Sequence, residues 1–194
     1  YNNSPTLAGI YTSTDSGATW TRTRVGFFAS EGVDGFAAKL RTVPNNAGNL
    51  FYTAGDVGGS VTGSFYKCTD GGTTFNAVAN VLEVRCFGFG KALPGGSGYP
   101  AIFIVGWVGG TADANYGIWQ SDDGSTSWTR IATFPNNSFD TIKWIEGDMN
   151  TYGTVYLGMQ GTGFLVGTLT PNTGGFFVKT SGPSSPRVLI VVRR

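Results

Sequence analysis

A short signature occurs three times in this chain. It reads Ser13-Thr14-Asp15-Ser16-Gly17-Ala18-Thr19-Trp20, then Cys68-Thr69-Asp70-Gly71-Gly72-Thr73-Thr74-Phe75, then Ser121-Asp122-Asp123-Gly124-Ser125-Thr126-Ser127-Trp128. The starts lie 55 and 53 residues apart. A repeat at such a period marks an array of supersecondary units, each too small to bury its own apolar face. The architecture is therefore a stack of like units.

The signature reads as a turn. The aspartate at its third position can accept N–H bonds from the residues that follow, as an Asx-turn does. Glycine at the fifth position supplies a positive φ at no steric cost. The closing aromatic returns to the core and anchors the hairpin. These are the features of the Asp-box of β-propeller blades. Asp15, Gly17, Trp20, Asp70, Gly72, Phe75, Asp123 and Trp128 are accordingly read as structural residues. The third copy departs from the pattern. Ser125 stands where Gly17 and Gly72 stand, Ser127 replaces a threonine, and Gly124 comes one place early, so a different local turn is expected. The second copy opens on Cys68 rather than serine.

Composition agrees with an all-β array. Of 194 residues, 31 are glycine, 14% are aromatic and 13% are charged, against typical values of about 7% glycine and about 25% charge. Net charge is +1, from 13 basic and 12 acidic residues. No basic stripe points to nucleic acid, and no run of about 18 apolar residues encodes a helical membrane span. There is no histidine. That excludes Ser-His-Asp and Cys-His catalysis and the common histidine metal sites; no cofactor or metal is expected. Cys68 and Cys86 are either a disulfide or two buried thiols. Low charge, many small polar residues and the sequons Asn2-Asn3-Ser4 and Asn136-Asn137-Ser138 suit a secreted protein. A start at Tyr1, without methionine or signal peptide, suggests a mature or excised piece.

Along the chain, apolar and β-branched runs predict strands at 7–12, 20–24, 37–43, 50–54, 64–67, 84–91, 101–108, 117–120, 141–146, 154–157 and 164–168. No helix is expected. Residues 1–170 then form about three to three and a half blades. Closed propellers usually need four to eight, and open sheet edges invite pairing. The array is expected to be part of a seven-bladed propeller or to be completed by self-association. Residues 171–194 read as a Pro/Gly linker followed by the β-prone tail Val188-Leu189-Ile190-Val191-Val192.

Further motifs are more specific. Phe87-Gly88-Phe89-Gly90-Lys91-Ala92-Leu93-Pro94 with Tyr99-Pro100-Ala101-Ile102-Phe103 is similar to the phrase GFGKAAPG…YPALY of glycoside hydrolase family 74. That family contains xyloglucanases and related endo-β-1,4-glucanases. Val108-Gly109-Gly110, Ile118-Trp119-Gln120-Ser121-Asp122-Asp123, Glu146-Gly147-Asp148, Tyr152-Gly153-Thr154-Val155-Tyr156-Leu157-Gly158 and Gly161-Thr162-Gly163 follow in the family's order. The resemblance covers residues 7–167. It implies two seven-bladed propellers facing across a cleft, of which this chain matches the last blades of the second. It also implies inverting hydrolysis of xyloglucan or another plant cell-wall β-1,4-glucan. That chemistry needs an acid and a base carboxyl about 6.5–9.5 Å apart, and the family's two aspartates fall in parts this chain does not match.

Asp56, in Gly55-Asp56-Val57-Gly58, resembles the surroundings of one family catalytic aspartate and is the one weak catalytic candidate; an inter-strand loop fits it better. Glu31, Asp34, Glu83, Asp140, Glu146 and Asp148 lie in no catalytic motif. Sugar rings stack on flat aromatic side chains, so Trp107, Trp144 and Tyr116 are the carbohydrate-binding candidates, with ordinary packing between blades as the plainer reading. Three functions compete. The chain is the C-terminal propeller portion of a family 74 enzyme, inactive without its N-terminal part. Otherwise it is a stand-alone carbohydrate-binding propeller, alone or closed as a homodimer, or a non-carbohydrate Asp-box scaffold. A sialidase is disfavoured because the arginines follow no recognisable spacing.

Overall fold

A computed structural model describes residues 9–25, 38–55, 65–110, 112–133, 141–161, 163–169 and 176–180. Fourteen strands form among the described residues. They are β1 (Gly9–Thr12), β2 (Thr21–Val25), β3 (Lys39–Thr42), β4 (Leu50–Thr53), β5 (Phe65–Cys68), β6 (Asn76–Ala77), β7 (Val81–Gly90), β8 (Ala101–Val108), β9 (Tyr116–Ser121), β10 (Thr129–Ala132), β11 (Ile142–Gly147), β12 (Thr154–Met159), β13 (Phe164–Leu169) and β14 (Phe176–Thr180). One turn of 3-10 helix, Asp113–Asn115, precedes β9.

The strands form antiparallel meanders. β1 and β2 make a hairpin, and three four-stranded sheets follow in the orders β3-β4-β5-β6, β7-β8-β9-β10 and β11-β12-β13-β14. The chain is thus a propeller-type array, as expected. Each signature joins the third strand of a sheet to the fourth, at β5–β6 and β9–β10, with β1–β2 repeating that pair.

Three apolar layers hold the stack together. Ile10, Tyr52, Ala54, Cys68 and Phe75 pack between the first two sheets. Phe51, Phe65, Phe87, Phe89, Ile102 and Ile104 pack between the second and third. Phe103, Val105, Ile118, Ile145, Val155, Leu157 and Leu165 pack between the third and fourth. β8 shows how one strand serves two layers: Ile102 and Ile104 face one way, Phe103 and Val105 the other, and every one of its residues but Trp107 is buried.

The first strands of the last two sheets, β7 and β11, run side by side and in the same direction. A Cβ on Gly88 would lie 2.2 Å from Ile145 O, and one on Gly147 would lie 2.6 Å from Gly90 Cα. These glycines let two backbones meet where no side chain fits. The Phe87-Gly88-Phe89-Gly90 motif is therefore a packing motif, with its phenylalanines in the core and its glycines at the crossing.

Most expected strands recur with ends shifted by one to three residues. β6, β10 and β14 were not anticipated. β14 pairs with β13 from Leu165↔Thr180 to Leu169↔Phe176, inside the stretch expected to be a linker. Its five residues are flanked by glycine and proline, which mask a short edge strand. The tail at 188–192, both sequons and Asp56 lie outside the described residues. Cys68 and Cys86 are both buried free thiols.

Candidate functional site

The three signature turns carry one hydrogen-bond pattern. The first-position side chain donates to the aspartate Oδ1: Ser13 to Asp15 at 2.8 Å, Cys68 to Asp70 at 3.0 Å and Ser121 to Asp123 at 2.8 Å. The same atom accepts the N–H of the fifth residue, Gly17, Gly72 or Ser125. The aspartate Oδ1 also takes the N–H of the seventh, Thr19, Thr74 or Ser127. Cys68 thus does a serine's work with sulfur. The third turn does not differ, contrary to expectation. In all three, the fourth and fifth residues are left-handed: Ser16 and Gly17 at φ 58 and 90, Gly71 and Gly72 at 74 and 104, Gly124 and Ser125 at 69 and 79. The closing aromatics diverge. Phe75 is buried and Trp128 partly buried, but Trp20 is 62% exposed, its indole N–H donating to Gly17 O.

These turns occupy the carboxylates. The Thr19 hydroxyl and N–H hold the Asp15 carboxyl at about 2, below its ordinary 3.8. The Cys68 thiol and the Thr74 N–H lower that of Asp70. At Asp123, burial pushes upward but the Ser127 and Ser121 hydroxyls and neighbouring N–H groups outweigh it, and the net shift is down. Asp148 is lowered by the Asn150 N–H and then the Tyr156 hydroxyl, which donates at 2.9 Å. Asp122 accepts from Tyr152 OH at 2.8 Å and from Gln120 Nε2 at 2.9 and 3.0 Å. Buried Glu83 lies 3.6 Å from Arg85 Nε. Each of these carboxylates is engaged by neighbouring donors or, for Glu83, by a guanidinium.

Glu146 is engaged as well. Arg41 on β3 donates to both its oxygens, at 2.5 and 3.1 Å, and the Phe89 N–H on β7 donates to Oε1 at 3.1 Å. The Arg41 guanidinium also lies 5.3 Å from the Phe89 ring centroid. One carboxylate on β11 therefore ties the leading strands of three sheets together.

The aromatic candidates gather at the end opposite the signature turns. On the third sheet Glu83, Trp107 and Tyr116 are cross-strand partners in a row. Trp107 and Tyr116 have centroids 4.5 Å apart, and the Arg85 guanidinium covers both, at 5.1 and 5.4 Å. Burial raises the Tyr116 hydroxyl. These two rings pack on each other and on a cation. Trp144 stands apart at the start of β11, 50% exposed, with Lys39 Nζ 4.2 Å from its centroid. Lys39 also donates to Lys143 O at 3.2 Å, and burial lowers its ammonium. Phe164, 73% exposed at the start of β13, was not anticipated. A lone phenylalanine in a strand reads as core, so nothing in the sequence marks it. Among the described residues, no group of three or more Cys, Asp or Glu side chains could hold a metal ion.

Comparison with known proteins fits this geometry. The chain is 36% identical over 156 residues to a xyloglucanase of a Paenibacillus species. It is 33% identical over 164 residues to a probable oligoxyloglucan-reducing end-specific xyloglucanase of Neosartorya fischeri. These alignments cover 80% and 83% of the chain. The chain is a relative of glycoside hydrolase family 74. A solved family 74 enzyme from Niastella koreensis superposes on 80% of this chain with a TM-score of 0.55 at 26% identity. An ancestral family 74 enzyme gives the same TM-score over 91% of the chain at 19% identity, a likeness of fold alone. No family model matches the chain. This family 74 relative spans 14% and 19% of the two curated proteins and 27% of the Niastella chain.

Proposed function

We propose that this chain is the C-terminal propeller portion of a xyloglucan- or β-1,4-glucan-hydrolysing enzyme of the secreted kind. It contributes polysaccharide contacts and does not cleave substrate alone. The observation that carries the reading is the occupation of carboxylates among the described residues. Asp15, Asp70, Asp122, Asp123, Glu146 and Asp148 are all held in structural bonds, while the chain is about one-third identical to xyloglucanases of which it spans under a fifth. The acid and base then come from the enzyme's N-terminal part, which is the natural partner of this piece. Affinity electrophoresis tests the binding half of the proposal. Migration slowed by xyloglucan in the gel is expected; unchanged migration in xyloglucan, soluble cellulose derivatives and mixed-linkage glucan contradicts it.

A second reading has its own observation. Tyr11 and Trp20 are exposed at one end of the stack, and Trp144 and Phe164 at the other. A stand-alone carbohydrate-binding propeller closed by a second copy would cover both. Sedimentation at working concentration decides: a strictly monomeric mass removes this reading.

A further inference from the structure

We infer that the edge of β1 away from β2 docks one further β-strand, apolar on both faces and patterned Leu/Ile-Phe-Tyr/Ile-Thr/Val, which comes from a part of the enzyme outside this sequence. This rests on the reading of the chain as a portion of a larger enzyme and names a contact through which the two parts meet.

The repeat sets the place. Counting back from the first signature residue, Ser13, Cys68 or Ser121, aligns Ile10 with Phe65 and Ile118, and Tyr11 with Tyr66 and Trp119. β1 therefore corresponds to β5 and β9. Those are third strands, each held between a second strand and a fourth. β1 has its fourth-strand counterpart, β2, but among the described residues its sheet holds no second strand. Such an edge is a template for another strand.

The register sets the chemistry. Leu50, Phe51, Tyr52 and Thr53 lie opposite Cys68, Lys67, Tyr66 and Phe65. Ile102, Phe103, Ile104 and Val105 lie opposite Ser121, Gln120, Trp119 and Ile118. The two second strands thus repeat one pattern in one register. Phe51 and Phe103 pack toward the following sheet, while Leu50 and Ile102 pack toward the preceding one. A strand in this slot is covered on both faces, so it is apolar on both. The same register along β1 places Leu or Ile opposite Ser13, Phe opposite Thr12, Tyr or Ile opposite Tyr11, and Thr or Val opposite Ile10. That phenylalanine would enter the layer of Ile10, Tyr52 and Phe75. The layer is thin on the hairpin's side. Ile10 is the one buried apolar side chain among the hairpin's described residues. Tyr11 is 40% exposed, whereas its counterparts Tyr66 and Trp119 are packed against core clusters.

The sequence points outside itself for the occupant. The four-residue pattern occurs at 50–53 and 102–105 and nowhere else, and both copies are already in sheets. The apolar run 188–192 has Leu189 where the pattern needs phenylalanine. The chain spans 14% and 19% of the two curated xyloglucanases, so most of such an enzyme lies beyond it.

The test joins a second copy of residues 38–55, which carry β3 and β4, ahead of Tyr1 of the full chain through a flexible linker. Hydrogen exchange of the β1 amides is then followed. The added hairpin should slow that exchange by about tenfold or more and raise the thermal midpoint. The same extension with Phe51→Ser in the added copy should lose most of both effects. A free peptide of residues 49–55, added in excess to the parent chain, should protect the same amides, and its Phe51→Ser form should not. Protection by neither probe overturns the inference, as does equal protection by the phenylalanine and serine forms. Faster β1 exchange after removal of residues 188–194 would show that this chain's own tail holds the edge. Faster exchange on dilution would show that a second copy holds it. Either result overturns the inference. No glucan enters these measurements, so a failed docking edge and a failed polysaccharide reading are told apart.

Discussion

Ser125 holds φ 79 at the position where the other two signatures have Gly17 and Gly72. A side chain in left-handed backbone costs roughly 1–2 kcal/mol, partly recovered as glycine's greater freedom in the unfolded chain. Ser125→Gly should therefore stabilise the protein by about 0.5–1 kcal/mol, read as a higher urea midpoint. The same turn chemistry sets an acid response. Asp15 has its carboxyl at about 2 in the folded chain against an ordinary 3.8. A depressed carboxyl contributes stability that is present above its unfolded value and lost as pH falls through the folded one. The first hairpin should thus loosen between about pH 4 and 2, seen as faster exchange of the Thr19 amide, and Asp15→Asn should flatten that response. An unchanged profile in the variant would assign the acid response elsewhere. These aspartate bonds were legible because they lie within seven residues of chain. The serine in place of glycine misled, since backbone strain is tolerated when six hydrogen bonds fix the turn.

At the scale of the element, β7 and β11 decide the stack. A Cβ on Gly88 would sit 2.2 Å from Ile145 O and 2.8 Å from Glu146 Cα, both backbone atoms that cannot swing aside. Gly88→Ala should cost about 3 kcal/mol or more. Gly95→Ala is the control: φ is 75 there, but nothing lies within 4 Å, so only about 1 kcal/mol is expected. Chemical denaturation of the two variants separates close packing from backbone strain. β8 was read to the residue because burial on both faces leaves a continuous apolar run ending at glycine. β6, with two exposed residues, and β10, which mixes Thr129 and Arg130 with Ile131 and Ala132, offer no such run. The start of β7 was missed because Glu83 looks like a loop residue; its 3% exposure depends on Arg85, Trp107 and Tyr116, brought together only by pairing.

At the scale of the molecule, order among sheets comes from apolar layers and from one ion pair. Arg41 and Glu146 are 105 residues apart in sequence, and their contact joins the second sheet to the fourth across β7. Their side chains are 29% and 26% exposed, between the surface and buried regimes. Glu146→Ala should cost about 1–2 kcal/mol, and less at high salt; a loss insensitive to salt would point to packing instead. Sequence alone exposed the repeat and most strands, which follow from local turns and periodicity, and the motifs from Phe87 to Gly163 carried the resemblance to the family. It could not show which aromatics face outward. Trp107 and Tyr116 close on each other under Arg85, while Trp144, beside Lys39, and Phe164 remain exposed.

That every described catalytic-type carboxylate is tied into structure is the centre of this account. Mass spectrometry of xyloglucan oligosaccharides after overnight incubation with the purified chain tests it most directly. Intact substrate is the predicted result. A discrete ladder of cut products would mean that a working acid–base pair exists in these 194 residues, with Asp56 the first residue to substitute, and would contradict the account.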